Sequence, residues 1–209
     1  ETGTITIKGV EELNLKDYKV IPDRIEAGSY ILATMATKGR LILNNFNPED
    51  LSFPLKIYQD MGLKIKKISK SSYEFNCKTL KPIKKISTKE FPGYPTDLQA
   101  QLIATQLKSA LKSKVVENIF ENRFIHIPEL RRFGANLSII GKTVIIHKTL
   151  NLFGAEVMAT DIRASFSLII AAMMSKGTTV INRIYHLDRG YEDFDLKLKK
   201  CGVNISRKK

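Results

Sequence analysis

Residues 21–25 read Ile-Pro-Asp-Arg-Ile, residues 94–98 read Tyr-Pro-Thr-Asp-Leu, and residues 159–163 read Ala-Thr-Asp-Ile-Arg. In each stretch an aspartate ends a short β-like run and opens an amphipathic helical pattern. An internal repeat has to be recognised first, because it determines the whole fold. The three aspartates therefore predict three copies of one unit. The units span about residues 5–77, 78–147 and 148–209.

The sequence that follows each aspartate has one order of elements. A helix leads to a strand, a second helix, a glycine and a strand hairpin, so each unit is expected to be β-α-β-α-β-β. Asp23 aligns with Asp161, and Lys38-Gly39 aligns with Lys176-Gly177. The third unit ends at Lys209, before a second hairpin strand, which predicts an unpaired sheet edge. We expect an α/β fold, with residues 1–209 forming one domain of three packed units.

Two helices are predicted with particular clarity. Gln99 to Leu111 places an apolar stripe towards the core, whereas Ser165 to Met174 is apolar nearly all round and should be central. The predicted stripe consists of Leu102, Ile103, Gln106, Leu107, Ala110 and Leu111. We interpret Met158, Met173 and Met174 as core residues. Gln99 and Gln101 fit either a polar cleft or an ordinary surface.

Net charge is +13, with 34 basic residues. A basic chain favours phosphate-bearing partners, including nucleic acid. Arginine binds carboxylate and phosphate through a rigid fork, so an arginine cluster is more informative than scattered lysines. Six of the arginines fall within 67 positions: Arg123, Arg131, Arg132, Arg163, Arg183 and Arg189.

The sequence contains no phosphate-binding glycine loop, no Gly-x-Ser-x-Gly elbow and no metal-ligand spacing. It also contains no apolar run long enough to span a bilayer and no signal peptide. Cys77 and Cys201 form no disulfide framework, which fits a reducing cytoplasm, and Cys201 is predicted to be a small core residue. Because the chain opens Glu-Thr-Gly-Thr, without methionine, we expect it to be part of a longer protein.

Each of the three aspartates can cap a helix, and for Asp23 capping is the preferred interpretation. Asp97 and Asp161 have neighbours that capping does not require, namely Pro95-Thr96 and Arg163. Polar residues follow equivalent strands in two loops, and loops at one end of repeated units commonly cluster and carry function. These loops are residues 117–126 and 183–192. They predict an anion site that contains a carboxylate; their histidines, His126 and His186, are expected to bond to backbone or to acids.

Four segments in order resemble the UDP-N-acetylglucosamine 1-carboxyvinyltransferases of the enolpyruvyl transferase family. They are Tyr-Pro-Thr-Asp-Leu-Gln-Ala-Gln (94–101), Glu-Asn-Arg-Phe with His-Ile-Pro-Glu-Leu (121–130), Met-Ala-Thr-Asp-Ile-Arg-Ala-Ser (158–165) and Arg-Ile-Tyr-His-Leu-Asp-Arg-Gly-Tyr-Glu (183–192). The resemblance runs from Ile5 to Ser206. It implies an inside-out α/β barrel domain, with helices inside and sheets outside, and it covers only the second of two such domains.

This resemblance implies transfer of the enolpyruvyl group of phosphoenolpyruvate to the 3-hydroxyl of UDP-N-acetylglucosamine, the first committed step of peptidoglycan synthesis. It implies no cofactor and no metal. Asp97 would be the general base, and the backbone of Ile119 would contact the UDP-sugar. Arg189 would hold phosphoenolpyruvate. The charged cleft wall would be completed by Asp161, as a second catalytic carboxylate, with Arg163 and Arg123.

The implied partners are the two substrates and the N-terminal domain of the same enzyme, with no nucleic acid or membrane partner. The family's catalytic cysteine lies in that other domain, and neither Cys77 nor Cys201 stands in its motif, so we expect this chain to be inactive alone. Three alternatives stay open. They are a 3-phosphoshikimate 1-carboxyvinyltransferase-like enzyme, an RNA-binding module of the kind built from this repeat in an RNA-end cyclase, and a non-catalytic UDP-sugar-binding domain.

Overall fold

The computed structural model describes residues 4–109 and 111–208. Its helices are α1 (Arg24–Ala36), α2 (Ser52–Asp60), α3 (Gln99–Gln106), α4 (Ile127–Arg132), α5 (Ser165–Met174), α6 (Tyr185–Asp188) and α7 (Phe194–Lys200). Its strands are β1 (Arg40–Leu43), β2 (Lys64–Lys67), β3 (Tyr73–Asn76), β4 (Lys85–Ser87), β5 (Ser113–Val116), β6 (Leu137–Ile140), β7 (Thr143–Ile146), β8 (Glu156–Met158) and β9 (Val180–Asn182). Short 3-10 helices cover Pro48–Leu51 and Thr96–Leu98.

The strands form three sheets, one for each predicted unit. Their orders are β1-β3-β2, β4-β5-β7-β6 and β8-β9. The second unit is complete: β4 pairs parallel to β5, and the hairpin β6-β7 continues the sheet antiparallel. The third unit has the parallel pair without a hairpin among the described residues. The strand pairing therefore follows one repeated pattern, as the sequence predicted.

The first unit departs from the prediction at its leading strand. Residues 4–23 contain no described helix or strand, and the apolar side chains there are exposed, Leu15 at 95%. In the other units this strand lies beside the strand that follows the first helix. Here β1 pairs only with β3 among the described strands, and it borders a groove of about 650 Å³. A β-strand is stabilised by hydrogen bonds to a neighbouring strand, and residues 4–23 have no such neighbour among the described strands. Their strand-like sequence pattern is therefore not sufficient to form a strand.

Helices α1, α3 and α5 form the centre of the molecule and pack against one another. Every residue of α3 is buried, and so is Ser165–Ala171 of α5. A helix that is apolar all round has to be enclosed by protein, so the prediction for α5 is confirmed in both its ends and its position. The sheets lie outside this helical centre.

A buried polar cluster joins α1 and α3 to the loop after α6. The amide nitrogen of Gln101, Nε2, donates to Ser29 Oγ and to the Tyr191 hydroxyl, each at 3.1 Å, and those two oxygens lie 2.8 Å apart. Both glutamines of the α3 stretch, Gln99 and Gln101, are buried, so the alternative of an ordinary surface is wrong. Gln101 is buried because it supplies the donors that this interior cluster requires.

Equivalent backbone positions confirm the repeat at residue level. Gly62, Gly134 and Gly202 each follow a helix with φ of +108°, +88° and +90°. Each also donates its N–H to a carbonyl three residues earlier, at 2.9, 2.8 and 3.0 Å respectively. A left-handed residue after a helix favours glycine because it has no Cβ. Asn45 and Arg183, which align in the first and third units, are both left-handed as well.

Three predicted core positions are wrong. Helix α3 ends at Gln106, and Leu111 is 65% exposed because the chain turns at residues 107–109; Ala110 lies outside the described residues. Met158 is 44% exposed, since neighbouring strand residues point to opposite faces and Val157 takes the buried one. Cys201 is exposed at the end of α7. Met173 and Met174 pack against the core as predicted.

We predict that Tyr191→Phe lowers the free energy of unfolding by about 1–3 kcal/mol, because Gln101 and Ser29 each lose a buried hydrogen-bond partner. Urea unfolding measures this change. Tyr18→Phe is the matched control: Tyr18 is exposed, and its free energy of unfolding should change by less than about 0.5 kcal/mol. Equal effects of the two substitutions would contradict the assigned role of the cluster.

Candidate active site

The centre of the candidate site is an ion pair between Asp97 and Arg123. Asp97 lies in the 3-10 turn before α3, and Arg123 lies in the loop after β5. Arg123 Nη2 donates to Asp97 Oδ1 at 2.6 Å, and Arg123 Nη1 donates to Thr96 Oγ1 at 2.9 Å. The guanidinium also lies over the Phe120 ring, 4.9 Å from its centroid. Sequence analysis predicted both charged residues, and the structure brings them into contact.

Asp97 has one oxygen that stays available. Its side chain is 39% exposed, and among the described residues Oδ2 accepts no hydrogen bond. Its carboxylate caps no helix, because Pro95 is the residue at the cap position and no side chain bonds there. Helix capping, the alternative interpretation of Asp97, is therefore not the role of its carboxylate. The carboxylate instead faces a groove of about 460 Å³, whose walls are Thr96, Asp97, Phe120, Glu121, Asn122, Arg123 and Ile125.

The other two aspartates do bind backbone N–H groups. Asp23 Oδ1 accepts from Ile25 and Glu26 at the start of α1, as predicted. Asp161 Oδ1 accepts from the amides of Arg163 and Ala164 at 2.8 and 2.6 Å, which fixes the turn before α5. These bonds stabilise the helix starts and leave Asp161 Oδ2 without a hydrogen bond among the described residues.

Arg163 links the leading turn of the first unit to the third unit. Its Nη2 lies 3.4 Å from Asp23 Oδ2, and its Nη1 donates to the Gly190 carbonyl at 3.3 Å. Burial lowers the pKa of Arg163, but the carboxylate of Asp23, the hydroxyl of Tyr191 and the carboxylate of Asp97 outweigh burial and raise it overall. The contribution of Asp97 places the first and second units' aspartates within electrostatic range of one cation. Arg163 is therefore charged at every physiological pH.

The loop that carries Arg189 packs closely against the turn that carries Arg163. A Cβ on Gly190 would lie 2.3 Å from Ile162 Cγ2, so only glycine lets the 189–191 loop approach this turn. The Arg189 side chain is exposed and forms no ion pair in the part of the chain that is described.

The structure separates the six arginines that the sequence groups together. Arg131 donates to the Leu137 carbonyl, and Arg132 donates to the Glu156 carbonyl. Arg183 donates to the Tyr185 hydroxyl at 2.7 Å. These three arginines hold loops and strand ends. The candidate site keeps Arg123, Arg163 and Arg189.

The loop that carries Arg123 is fixed by a residue that sequence analysis gave no role. Glu117 is 2% exposed and accepts hydrogen bonds from the amides of Ile119 and Phe120, at 2.8 and 3.2 Å. The Ile119 N–H is therefore engaged inside the protein. A contact between Ile119 and a ligand would use its carbonyl or its side chain. The feature of the sequence that could have indicated this role is the position of Glu117, a single acidic residue directly after an apolar strand.

The two histidines of the predicted loops do not behave as predicted. Among the described residues, neither ring nitrogen of His126 has a hydrogen-bond partner, and Nε2 of His186 has none either. Burial lowers the pKa of His126 from 6.5 to about 3, and the nearby positive charge of Arg123 adds to this effect. His126 is buried and neutral, and among the described residues it forms no hydrogen bond with an acidic side chain.

The described residues contain no group of three or more His, Cys, Asp or Glu placed to bind a metal ion. No described helix is both long enough and apolar enough to cross a membrane.

A family model described as EPSP synthase (3-phosphoshikimate 1-carboxyvinyltransferase) matches residues 1–198. The chain belongs to the enolpyruvyl transferase family. Among its curated relatives is the UDP-N-acetylglucosamine 1-carboxyvinyltransferase of Pelagibacter ubique, which is 47% identical over 204 residues, or 98% of this chain and 49% of the relative. The enzyme of the same name from Koribacter versatilis is 46% identical over 206 residues, or 99% and 47%. The chain spans about half the length of the curated relatives it matches.

Solved structures agree with this assignment. The enolpyruvyl transferase NikO from Streptomyces tendae superposes with a TM-score of 0.79 and 25% identity, covering 90% of this chain and 44% of NikO. EPSP synthase from Acinetobacter baumannii superposes with a TM-score of 0.64 and 13% identity, covering 84% of this chain and 45% of that enzyme. The first comparison supports family and fold, and the second supports the fold alone.

We predict that acid destabilises the protein partly through His126. The folded pKa of about 3 lies below the unfolded value of 6.5, so the unfolded chain takes up the proton first and stability falls as pH drops below 6.5. The expected slope from this group approaches about 1.4 kcal/mol per pH unit. Urea unfolding of wild type and His126→Leu at pH 7.5, 6 and 5 measures it.

At pH 7.5 His126 is neutral in both states, so that measurement gives the packing cost of the substitution alone. The difference between the two proteins should then shift in favour of His126→Leu as the pH falls. Parallel stability curves would show that His126 is protonated normally in the folded chain.

Proposed function

We propose that this chain forms one wall of the cleft in which an enolpyruvyl group passes from phosphoenolpyruvate to the 3-hydroxyl of UDP-N-acetylglucosamine, a step of peptidoglycan synthesis. The other wall would come from the half of the relatives that this chain does not cover. The relatives' names support the substrates. The observation that carries the proposal is an exposed carboxylate oxygen, Asp97 Oδ2, on a carboxylate whose other oxygen is held by Arg123.

Asp97 is the general base in this proposal. Arg123 holds Oδ1 and thereby orients the carboxylate, while the unbonded Oδ2 can accept the proton of the attacking hydroxyl. A base needs hydrogen-bond reach to the proton that it removes, and a half-exposed oxygen on a groove wall allows that approach. The sugar oxygen then bonds to C2 of phosphoenolpyruvate while its C3 gains a proton. Loss of that C3 proton together with the C2–O bond to phosphate completes the transfer.

The arginines account for the second substrate. Phosphoenolpyruvate carries a carboxylate and a phosphate, and fixed guanidinium groups in a partly buried site stabilise such charges more than they would in bulk water. Arg163 is half-buried and charged, and Arg189 is unpaired among the described residues. Asp161 fixes the turn that carries Arg163, and its free Oδ2 faces no described donor. We assign phosphoenolpyruvate binding to the two arginines and assign Asp161 to the same wall as the second catalytic carboxylate.

Phosphate release from phosphoenolpyruvate in the presence of UDP-N-acetylglucosamine tests the proposal. This chain is mixed with a separately expressed domain that corresponds to the other half of the curated relatives, and each half alone is assayed in parallel. Release should occur only in the mixture. Asp97→Asn should lower the rate by about 10²–10⁴-fold, the usual contribution of a general base.

Asp60→Asn is the matched control, because Asp60 is exposed at the end of α2 and far in sequence from the groove residues. It should leave the rate unchanged. Shikimate 3-phosphate offered as the acceptor should give no release. A mixture of folded, associated halves that releases no phosphate would sink the transferase proposal, and full activity of Asp97→Asn would remove Asp97 as the base.

A further inference from the structure

Glu117 is a buried carboxylate without a counter-ion. Among the described residues it forms no salt bridge, although it is only 2% exposed. A buried charge without an ion-pair partner requires several hydrogen-bond donors. Glu117 has four: Oε1 accepts from Thr88 Oγ1 at 2.8 Å and from the Ile119 and Phe120 amides, and Oε2 accepts from Thr96 Oγ1 at 2.8 Å.

The donor and the acceptor are fixed in each of the two hydrogen bonds that connect Arg123 to Glu117 through Thr96. A guanidinium can only donate, so Thr96 Oγ1 must accept the bond from Arg123 Nη1. The single proton of the Thr96 hydroxyl is then directed to Glu117 Oε2. The chain of donation therefore runs from Arg123 to Thr96 to Glu117.

Glu117 also fixes the second surface that Arg123 touches. The Phe120 amide donates to Glu117, and the Phe120 ring lies against the Arg123 guanidinium. Both supports of the guanidinium thus depend on one buried carboxylate. The other terminal nitrogen of Arg123, Nη2, donates to Asp97 Oδ1 at 2.6 Å.

We propose that Glu117 is the positioning residue of this site, which holds Arg123 so that it orients the Asp97 carboxylate. Glu117 lines neither of the two grooves described above, and it acts on Arg123 through Thr96 and the 119–120 backbone. Its consequence for catalysis rests on the function proposed above, whereas its control of Arg123 does not.

Thr88 provides the matched control for a purely structural role. Thr88 Oγ1 also donates to Glu117, and it accepts from the Asn118 amide, so Thr88→Val removes a buried bond to the same carboxylate. Thr88 makes no contact with Arg123 among the described bonds. Thr96→Val also removes one threonine hydroxyl that donates to Glu117, but this hydroxyl is the one that accepts the hydrogen bond from Arg123.

The first test measures motion of the Arg123 side chain by ¹⁵N relaxation of its Nε–H group in this chain. Wild type and Thr88→Val should both show a rigid Arg123. Glu117→Gln and Thr96→Val should both show a mobile one, with the order parameter falling by roughly a third or more. The double variant should add no further mobility, because both substitutions break one path. Should Glu117→Gln fail to fold, Thr96→Val and Thr88→Val still decide the question.

Equal rigidity of Arg123 in wild type and Thr96→Val, or equal mobility in Thr88→Val and Thr96→Val, would overturn the proposal. Either result would limit Glu117 to a structural role, in which it connects neighbouring loops by hydrogen bonds.

The second test follows phosphate release in the mixture of halves. Thr96→Val should lower kcat by about tenfold with a smaller change in KM, since it disturbs the base and leaves the arginines for phosphoenolpyruvate in place. Thr88→Val should retain the wild-type kcat. If the wild-type mixture releases no phosphate, the proposed function fails, and the Arg123 relaxation data still decide the role of Glu117.

Discussion

The hydrogen bonds among Ser29, Gln101 and Tyr191 hold the three units in one arrangement. Each of these side chains comes from a different unit, and all three lie in the interior. Apolar packing between helices tolerates small rotations, whereas a buried donor that loses its acceptor costs free energy at once. The cluster therefore fixes how α1, α3 and the loop after α6 face each other. The positions of the site residues follow from that constraint.

The cluster continues directly into the site. The Tyr191 ring stacks on Phe166 of α5 at 4.6 Å, and the Arg163 guanidinium lies 5.5 Å from the centroid of the same ring. Arg163 in turn meets Asp23 of the first unit. Because these charges are partly buried, salt screens them less than it screens exposed pairs. The charged side chains of Asp23 and Arg163 thus meet at one end of the helical centre.

Local signals in the sequence predicted the features that depend on short-range chemistry. The cap of α1 at Asp23, the apolar helix Ser165–Met174 and the glycines after the second helices follow from capping, periodicity and φ preferences. The pairing of Asp97 with Arg123 came from equivalent loops of a repeat. Such loops must lie at one end of the molecule.

Features that depend on distant partners were not predictable in the same way. Gln99 and Gln101 look like surface residues until the opposite helices are in place. The stretch before Asp23 has a strand-like pattern, but a strand forms only with a neighbour. Glu117 is one acid after a strand, and its importance comes from Thr96, twenty-one positions away in the sequence. Nor does sequence spacing show which arginines bind carbonyls of their own chain.

If ligand binds on the wall formed by Asp97 and Arg123, a titration of ¹⁵N-labelled chain with UDP-N-acetylglucosamine, followed by amide chemical shifts, should detect it directly. We expect the largest changes at the residues that line this groove: Thr96, Asp97, residues 120–123 and Ile125. Changes confined to the larger groove beside α1 and α7, which is lined by Leu43 and Lys197, would contradict it.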